Sequence, residues 1–162
     1  MGLKSTNLEG NRVLVIGGSS GIGKATVQLL LESKAKVTAI GRKLEPLENL
    51  KKEINNNSLS FESLDMTDED KVKDYFLKFQ KDSIDHVIIT ASTSVHGPFL
   101  NTDINQIKGM FNSKFFGPYT IALYATPKIK KNGSITFFSG VLSRRPGKIL
   151  LAWVLLTLRL KD

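Results

Sequence analysis

No cysteine occurs among the 162 residues, which excludes disulfide bridges and thiolate metal sites together. Histidine is almost as scarce: only His86 and His96 are present, neither within a cluster of matching ligands, so no metal centre is expected. No charged-then-apolar leader opens the chain, and no apolar run reaches the roughly eighteen residues that a spanning helix requires. These absences point to a soluble, cytoplasmic protein with no membrane partner. Acidic residues are the minority charge, 15 against 23 Lys plus Arg, for a formal net charge of +8. The cations are interspersed with acids, as in Glu48-Asn49-Leu50-Lys51-Lys52-Glu53, and show no interleaving with aromatics. Nucleic acid is therefore not the expected partner, and a solvated basic surface that suits an anionic cofactor is favoured.

A chain of this length suits a single domain spanning 1–162. Its organising stretch is Val13-Leu14-Val15-Ile16-Gly17-Gly18-Ser19-Ser20-Gly21-Ile22-Gly23. Four consecutive apolar residues without alternation are what a strand buried on both faces needs. A glycine-rich turn follows at once, and then Ile22, Ala25, Thr26, Leu29 and Leu30 recur at helical spacing, giving a face expected to pack back on the strand. Glycines let a charged ligand approach the main chain, and the helix that follows aims unpaired N–H groups and its positive end at the turn. Such a strand, turn and helix form a site for a pyrophosphate.

The spacing Gly17-x-x-x-Gly21-x-Gly23, written GGSSGIG, resembles that of the short-chain dehydrogenase/reductase family, and the likeness extends to about Gly147. The resemblance implies a Rossmann-like doubly wound α/β fold, a parallel sheet of order 3-2-1-4-5 whose last strands are missing here. It implies an NAD(P)-binding domain, with Gly17, Ser19, Ser20, Gly21, Ile22 and Gly23 holding the diphosphate. Further strands are expected at Lys36–Ile40, Leu59–Leu64, Ile84–Ser92 and Gly133–Gly140. Helices are expected from Pro46 to Asn55, from about Glu69, and from Asp103 to Tyr124 or Ala125 with a kink at Gly117-Pro118.

The end of the second strand decides the cofactor, because an acid there bonds a free ribose 2′-hydroxyl and a cation accommodates a 2′-phosphate. The sequence has Gly41 in the acid's place, followed by Arg42 and Lys43, so NADP(H) is favoured over NAD. Asp65 and Met66 match the family's adenine contacts, with loop structure and capping of the next helix by Thr67 or Asp68 as the alternative. The family's Asn-Asn-Ala-Gly appears as Ile89-Thr90-Ala91-Ser92, leaving Ala91 and Ser92 beside the inner ribose. Lys114 stands where the family has a relay asparagine, either as a different relay group or as a surface cation. Ser139 takes the place of the serine that polarises the substrate carbonyl.

The family's tyrosine and lysine, expected about a dozen residues later, have no counterpart in Leu150-Leu151-Ala152-Trp153-Val154-Leu155-Leu156-Thr157. Ile149 to Leu160 is instead almost uniformly apolar and must be buried by something. Of a truncated or frame-shifted tail, a divergent subgroup and a segment buried between subunits, the first is favoured. The expectation is NADP(H)-dependent carbonyl/alcohol oxidoreduction by resemblance, with little turnover in this chain, and a non-catalytic dinucleotide binder as the alternative. The expected partners are a small-molecule carbonyl or alcohol substrate and further copies of the chain in a homo-oligomer.

Overall fold

β1 (Arg12–Ile16) is the strand to which the others are added, with Val13, Leu14 and Val15 wholly buried. A computed structural model describes residues 8–95 and 101–139, so His96 and the apolar run from Ile149 to Leu160 lie outside the described residues. β1 pairs with β2 (Lys36–Gly41) on one side and β4 (Ile84–Ile89) on the other. β2 carries β3 (Leu59–Ser63) and β4 carries β5 (Ile129–Phe137), all parallel, in the order β3-β2-β1-β4-β5. The order reverses beside β1, and in open parallel sheets the crevice at such a point, beyond the strands' carboxyl ends, is where ligands bind.

Helices cover both faces. Val13, Val15 and Val37 pack with Val27, Leu30 and Leu31 of α1 (Gly21–Glu32) and with Leu47 and Leu50 of α2 (Leu44–Ile54). Leu14, Ile16, Val87 and Ile89 pack on the opposite side with Val72, Tyr75 and Phe76 of α3 (Glu69–Leu77) and with Ile121 and Ala125 of α5 (Gly117–Ala125). α2 stops where the Asn55-Asn56-Asn57 run begins, with Asn55 in the left-handed conformation at φ 43°. The aromatic stripe of α3 is core, as its spacing implies: Tyr75 meets Phe76 and Phe79 edge-on, with ring centroids 5.3 Å apart in each pair.

Two expectations are corrected. α1 buries Gly23, Val27, Leu30 and Leu31, while Ile22 and Leu29 are 62% and 63% exposed. Three consecutive leucines leave the helical phase ambiguous. The deciding residue is Gly23, whose bare Cα must face the turn, and this sets the i, i+4, i+7, i+8 face toward the sheet. The second correction concerns the long helix. Asp103 caps α4 (Ile104–Phe111) through its side chain, but Asn112–Phe116 is a π-helical turn ahead of α5. The Gly117 N–H donates to the Asn112 carbonyl, five residues back. Pro118 has no N–H for the Lys114 carbonyl, and the turn that precedes it is widened to the π form.

At the opposite end of the sheet from the crevice, Asp85 joins three strands. Its carboxylate accepts from the Arg12 N–H at 2.9 Å and pairs with Lys130 at 2.8 Å. Partial burial raises its pKa, but the hydrogen bonds from Lys130 and the Arg12 backbone outweigh that and hold it below the ordinary aspartate value. A carboxyl whose pKa is lowered by folding stabilises the fold above its unfolded pKa and loses that contribution as pH falls through the folded value. Asp85→Asn should therefore cost about 1 kcal/mol at neutral pH. Thermal melts between pH 7 and pH 3 should show the wild-type advantage disappearing at the acid end; an advantage constant with pH would refute the ionic role.

Candidate functional site

The β1–α1 turn is built around two close approaches that exclude side chains. Gly17 takes φ +89°, and a Cβ there would lie 2.6 Å from the Ala91 nitrogen and 2.7 Å from Thr90 Oγ1. A Cβ on Gly23 would overlap the Gly17 carbonyl oxygen. The turn is thus folded tightly under the end of β4. Gly21, at φ +52°, faces open space instead. The Gly17 and Gly18 N–H groups are taken by the Ile40 carbonyl, at 2.7 and 3.2 Å, which binds the start of the turn to β2.

Beyond the turn lies a cleft of about 340 Å³ at the carboxyl ends of β1, β2 and β4. Gly17, Ser19, Ser20, Gly21, Ile22 and Gly23 form one wall, and Arg42 stands at the end toward β2. Asp65 and Met66 after β3, and Ala91 and Ser92 after β4, complete the lining. α1 opens on this cleft with Ser20 as its N-cap and has no acidic residue in its first turn. Its first amides have no partner within the helix and its dipole favours an anion, so this wall is suited to phosphate oxygens.

Lys43, Lys114 and Ser139, also singled out from the sequence, are not part of the lining. Lys43 is the exposed N-cap of α2. Lys114 reaches the cleft through another residue: its Nζ donates to Ser92 Oγ at 3.3 Å, and partial burial holds its pKa below the ordinary lysine value. Ser139 is exposed just past the end of β5. Asp65 serves its own loop, with Oδ1 accepting from the Thr67 N–H at 3.0 Å and Thr67 Oγ1 at 2.7 Å, while Asp68 caps α3 by accepting from the Lys71 N–H. His86 lies between Asn11 and Ser134 at hydrogen-bond distance, away from the cleft lining.

Three lining residues were not legible as site residues. Thr90 sits under the turn. Thr93 and Ser113 join the loop after β4 to the π-helical turn, the Thr93 N–H donating to Ser113 Oγ at 2.9 Å, and Ser113 Oγ in turn donating to the Met110 carbonyl at 3.2 Å. The widened turn thus brings Ser113 into the cleft lining and Lys114 within hydrogen-bond distance of Ser92. Among the described residues, no group of three metal-ligating side chains occurs, and no helix is long and apolar enough to cross a membrane.

A five-stranded parallel sheet flanked by helices, with a glycine turn opening a cleft at the point of strand reversal, defines a Rossmann-like α/β protein. The comparisons narrow the class. The family model for short chain dehydrogenases matches residues 11–153, past Gly147 where the motif likeness ends, and the chain belongs to that family of oxidoreductases. It is 29% identical over 147 residues to the 3-dehydrosphinganine reductase of Danio rerio, covering 84% of this chain and 44% of that protein. It is 31% identical over 142 residues to the 3-ketodihydrosphingosine reductase of Dictyostelium discoideum, covering 75% of this chain and 41% of that protein. The chain thus spans less than half the length of these curated relatives. A short-chain type dehydrogenase/reductase from Mycobacterium ulcerans shares the fold at a TM-score of 0.84 and 21% identity, over 93% of this chain and 58% of that one.

Proposed function

We propose that this chain binds NADP(H) as its dinucleotide and that its ancestral chemistry is hydride transfer between a carbonyl and an alcohol. The observation that carries the reading is the placement of Arg42 at one end of the glycine-turn cleft, with Gly41 beside it where an acid would repel a 2′-phosphate. The amides of the turn and the start of α1 hold the diphosphate. Arg42 accepts the 2′-phosphate in a charge-assisted contact, with Lys43 next to it in the chain. Asp65 and Met66 border the adenine, and Ala91 and Ser92 border the inner ribose. The bound dinucleotide supplies the hydride. The chain's own residues orient it, and Ser139 polarises the carbonyl oxygen by donating a hydrogen bond.

Proton delivery is the weak step. Tyr75 is buried in the core, where burial raises its pKa well above the ordinary tyrosine value. Tyr124 donates to Glu69 Oε1 at 2.8 Å, and Tyr119 is exposed on α5. Among the described residues, no tyrosine lines the cleft. Lys114 donates to Ser92 Oγ at 3.3 Å, so a proton from it reaches the cleft only through that hydroxyl. This favours slow turnover by the chain itself and keeps a second reading in view, that of a dinucleotide binder in which bound nucleotide stabilises the fold by mass action.

Steady-state NADPH oxidation against a panel of ketones tests the choice. Turnover that Ser139→Ala abolishes supports the enzyme. A melting temperature raised by NADPH with no turnover supports the binder, and no effect of NADPH on either measurement contradicts both.

A further inference from the structure

The carbonyl of Ile16, the last group of β1 before the glycine turn, accepts hydrogen bonds from three donors at the end of β4. They are the Thr90 N–H at 2.8 Å, the Ala91 N–H at 3.1 Å and the Thr90 hydroxyl at 3.0 Å. The backbone pair belongs to any strand end; the hydroxyl is particular to this chain's residue. It occupies the seam between the two ends of the turn. A Cβ on Gly17 would lie 2.7 Å from Thr90 Oγ1, and a Cβ on Gly23 would lie at the same 2.7 Å. Both glycines are therefore packed against one oxygen atom.

This contact bears on the amides beyond it. The peptide linking Ile16 to Gly17 is planar, so fixing its carbonyl also fixes the direction of its N–H. That N–H is held by the Ile40 carbonyl at 2.7 Å, so the first peptide of the turn is anchored to β4 on one side and β2 on the other. The Gly18 N–H is held by the same Ile40 carbonyl at 3.2 Å, so the two peptides that lead into the ligand-facing amides are both fixed.

We infer that Thr90 is a positioning residue for the dinucleotide's diphosphate: its hydroxyl clamps the glycine turn between β4 and α1, and the ligand-facing amides keep their aim because of it. The inference rests on the proposed function, since it concerns affinity for a diphosphate. Thr90→Val keeps the side chain's shape, puts a methyl group against the Ile16 oxygen and Gly23, and removes the bond. Thr90→Ser keeps the bond and loses only the methyl group.

The test compares wild type, T90V and T90S by titration with NADPH and with adenosine 2′-monophosphate, which carries the 2′-phosphate but no diphosphate, alongside melting of the nucleotide-free proteins. T90V should bind NADPH about tenfold more weakly, the effect of one lost hydrogen bond, with the monophosphate nearly unchanged and T90S close to wild type. Equal weakening toward both nucleotides, accompanied by a lower melting temperature, would assign Thr90 a general structural role and overturn the inference. So would T90S binding as poorly as T90V, or T90V binding NADPH as wild type does. Wild-type protein with no affinity for NADPH is a different result, because it removes the dinucleotide reading itself.

Discussion

Gly23→Ala is expected to abolish nucleotide binding and to destabilise the fold by about 3 kcal/mol or more, the range of overpacking at a rigid site. The added methyl group would overlap the Gly17 carbonyl oxygen and lie 2.7 Å from Thr90 Oγ1. Backbone and a hydrogen-bonded hydroxyl form that wall, so nothing nearby can swing aside as a flexible side chain would. Either α1 lifts from the sheet, uncovering Val27 and Leu30, or the turn opens and loses its amide array. Gly21→Ala is the matched control. Its Cβ meets nothing within 4 Å, and the positive φ alone should cost about 1 kcal/mol. Chemical denaturation of both variants should separate them clearly; equal losses would mean that the steric seam at Gly23 is not what sets the turn.

Arg42→Ala is expected to weaken NADPH by about ten- to a hundredfold, while NADH changes by about twofold at most. The guanidinium stands at the cleft's outer end and is exposed, so removing it leaves the core untouched. Gly41→Asp should act in the complementary sense. A Cβ at Gly41 meets nothing closer than Ser19 Oγ at 3.4 Å, so the carboxylate fits, repels a 2′-phosphate and offers an acceptor to a 2′-hydroxyl. Parallel titrations with NADPH and NADH measure both variants. Equal losses for the two nucleotides in Arg42→Ala would remove the phosphate role and leave cofactor choice to other residues.

The strand, glycine turn and helix could be read from the sequence because each stage has its own local signature: four unalternated apolar residues, glycines at fixed spacing, and helical periodicity. The sheet order has no such signature: five strands joined by helices also suit the order 2-1-3-4-5, and the observed order was implied by the family resemblance. Periodicity failed within α1, where Leu29-Leu30-Leu31 fits two phases and only the packing of Gly23 chooses between them. The π-helical turn was illegible for a different reason. Proline announces a disturbance near Pro118, but no local pattern announces the π form of the turn before it, whose Ser113 and Lys114 bond Thr93 and Ser92 on the segment after β4.

Thr90 shows the limit most plainly. In the sequence it is only a departure from the family's paired asparagines, with no role attached. Its hydroxyl in fact bonds the Ile16 carbonyl, a contact across 74 positions that no local pattern encodes. Conversely, Asp65 reads from sequence as either a base contact or a loop residue, and its bonds to Thr67 show the loop structure without removing it from the cleft wall.

The central claim is that the backbone amides between Gly17 and Gly23 receive a dinucleotide's paired phosphates. Titration of ¹⁵N-labelled protein with NADPH, followed through the amide resonances, tests it most directly. The account predicts that the amides of Ser19 to Gly23 shift most and saturate below millimolar nucleotide. Resonances there that stay unmoved at millimolar NADPH, or shifts confined to surfaces away from the cleft, would contradict it.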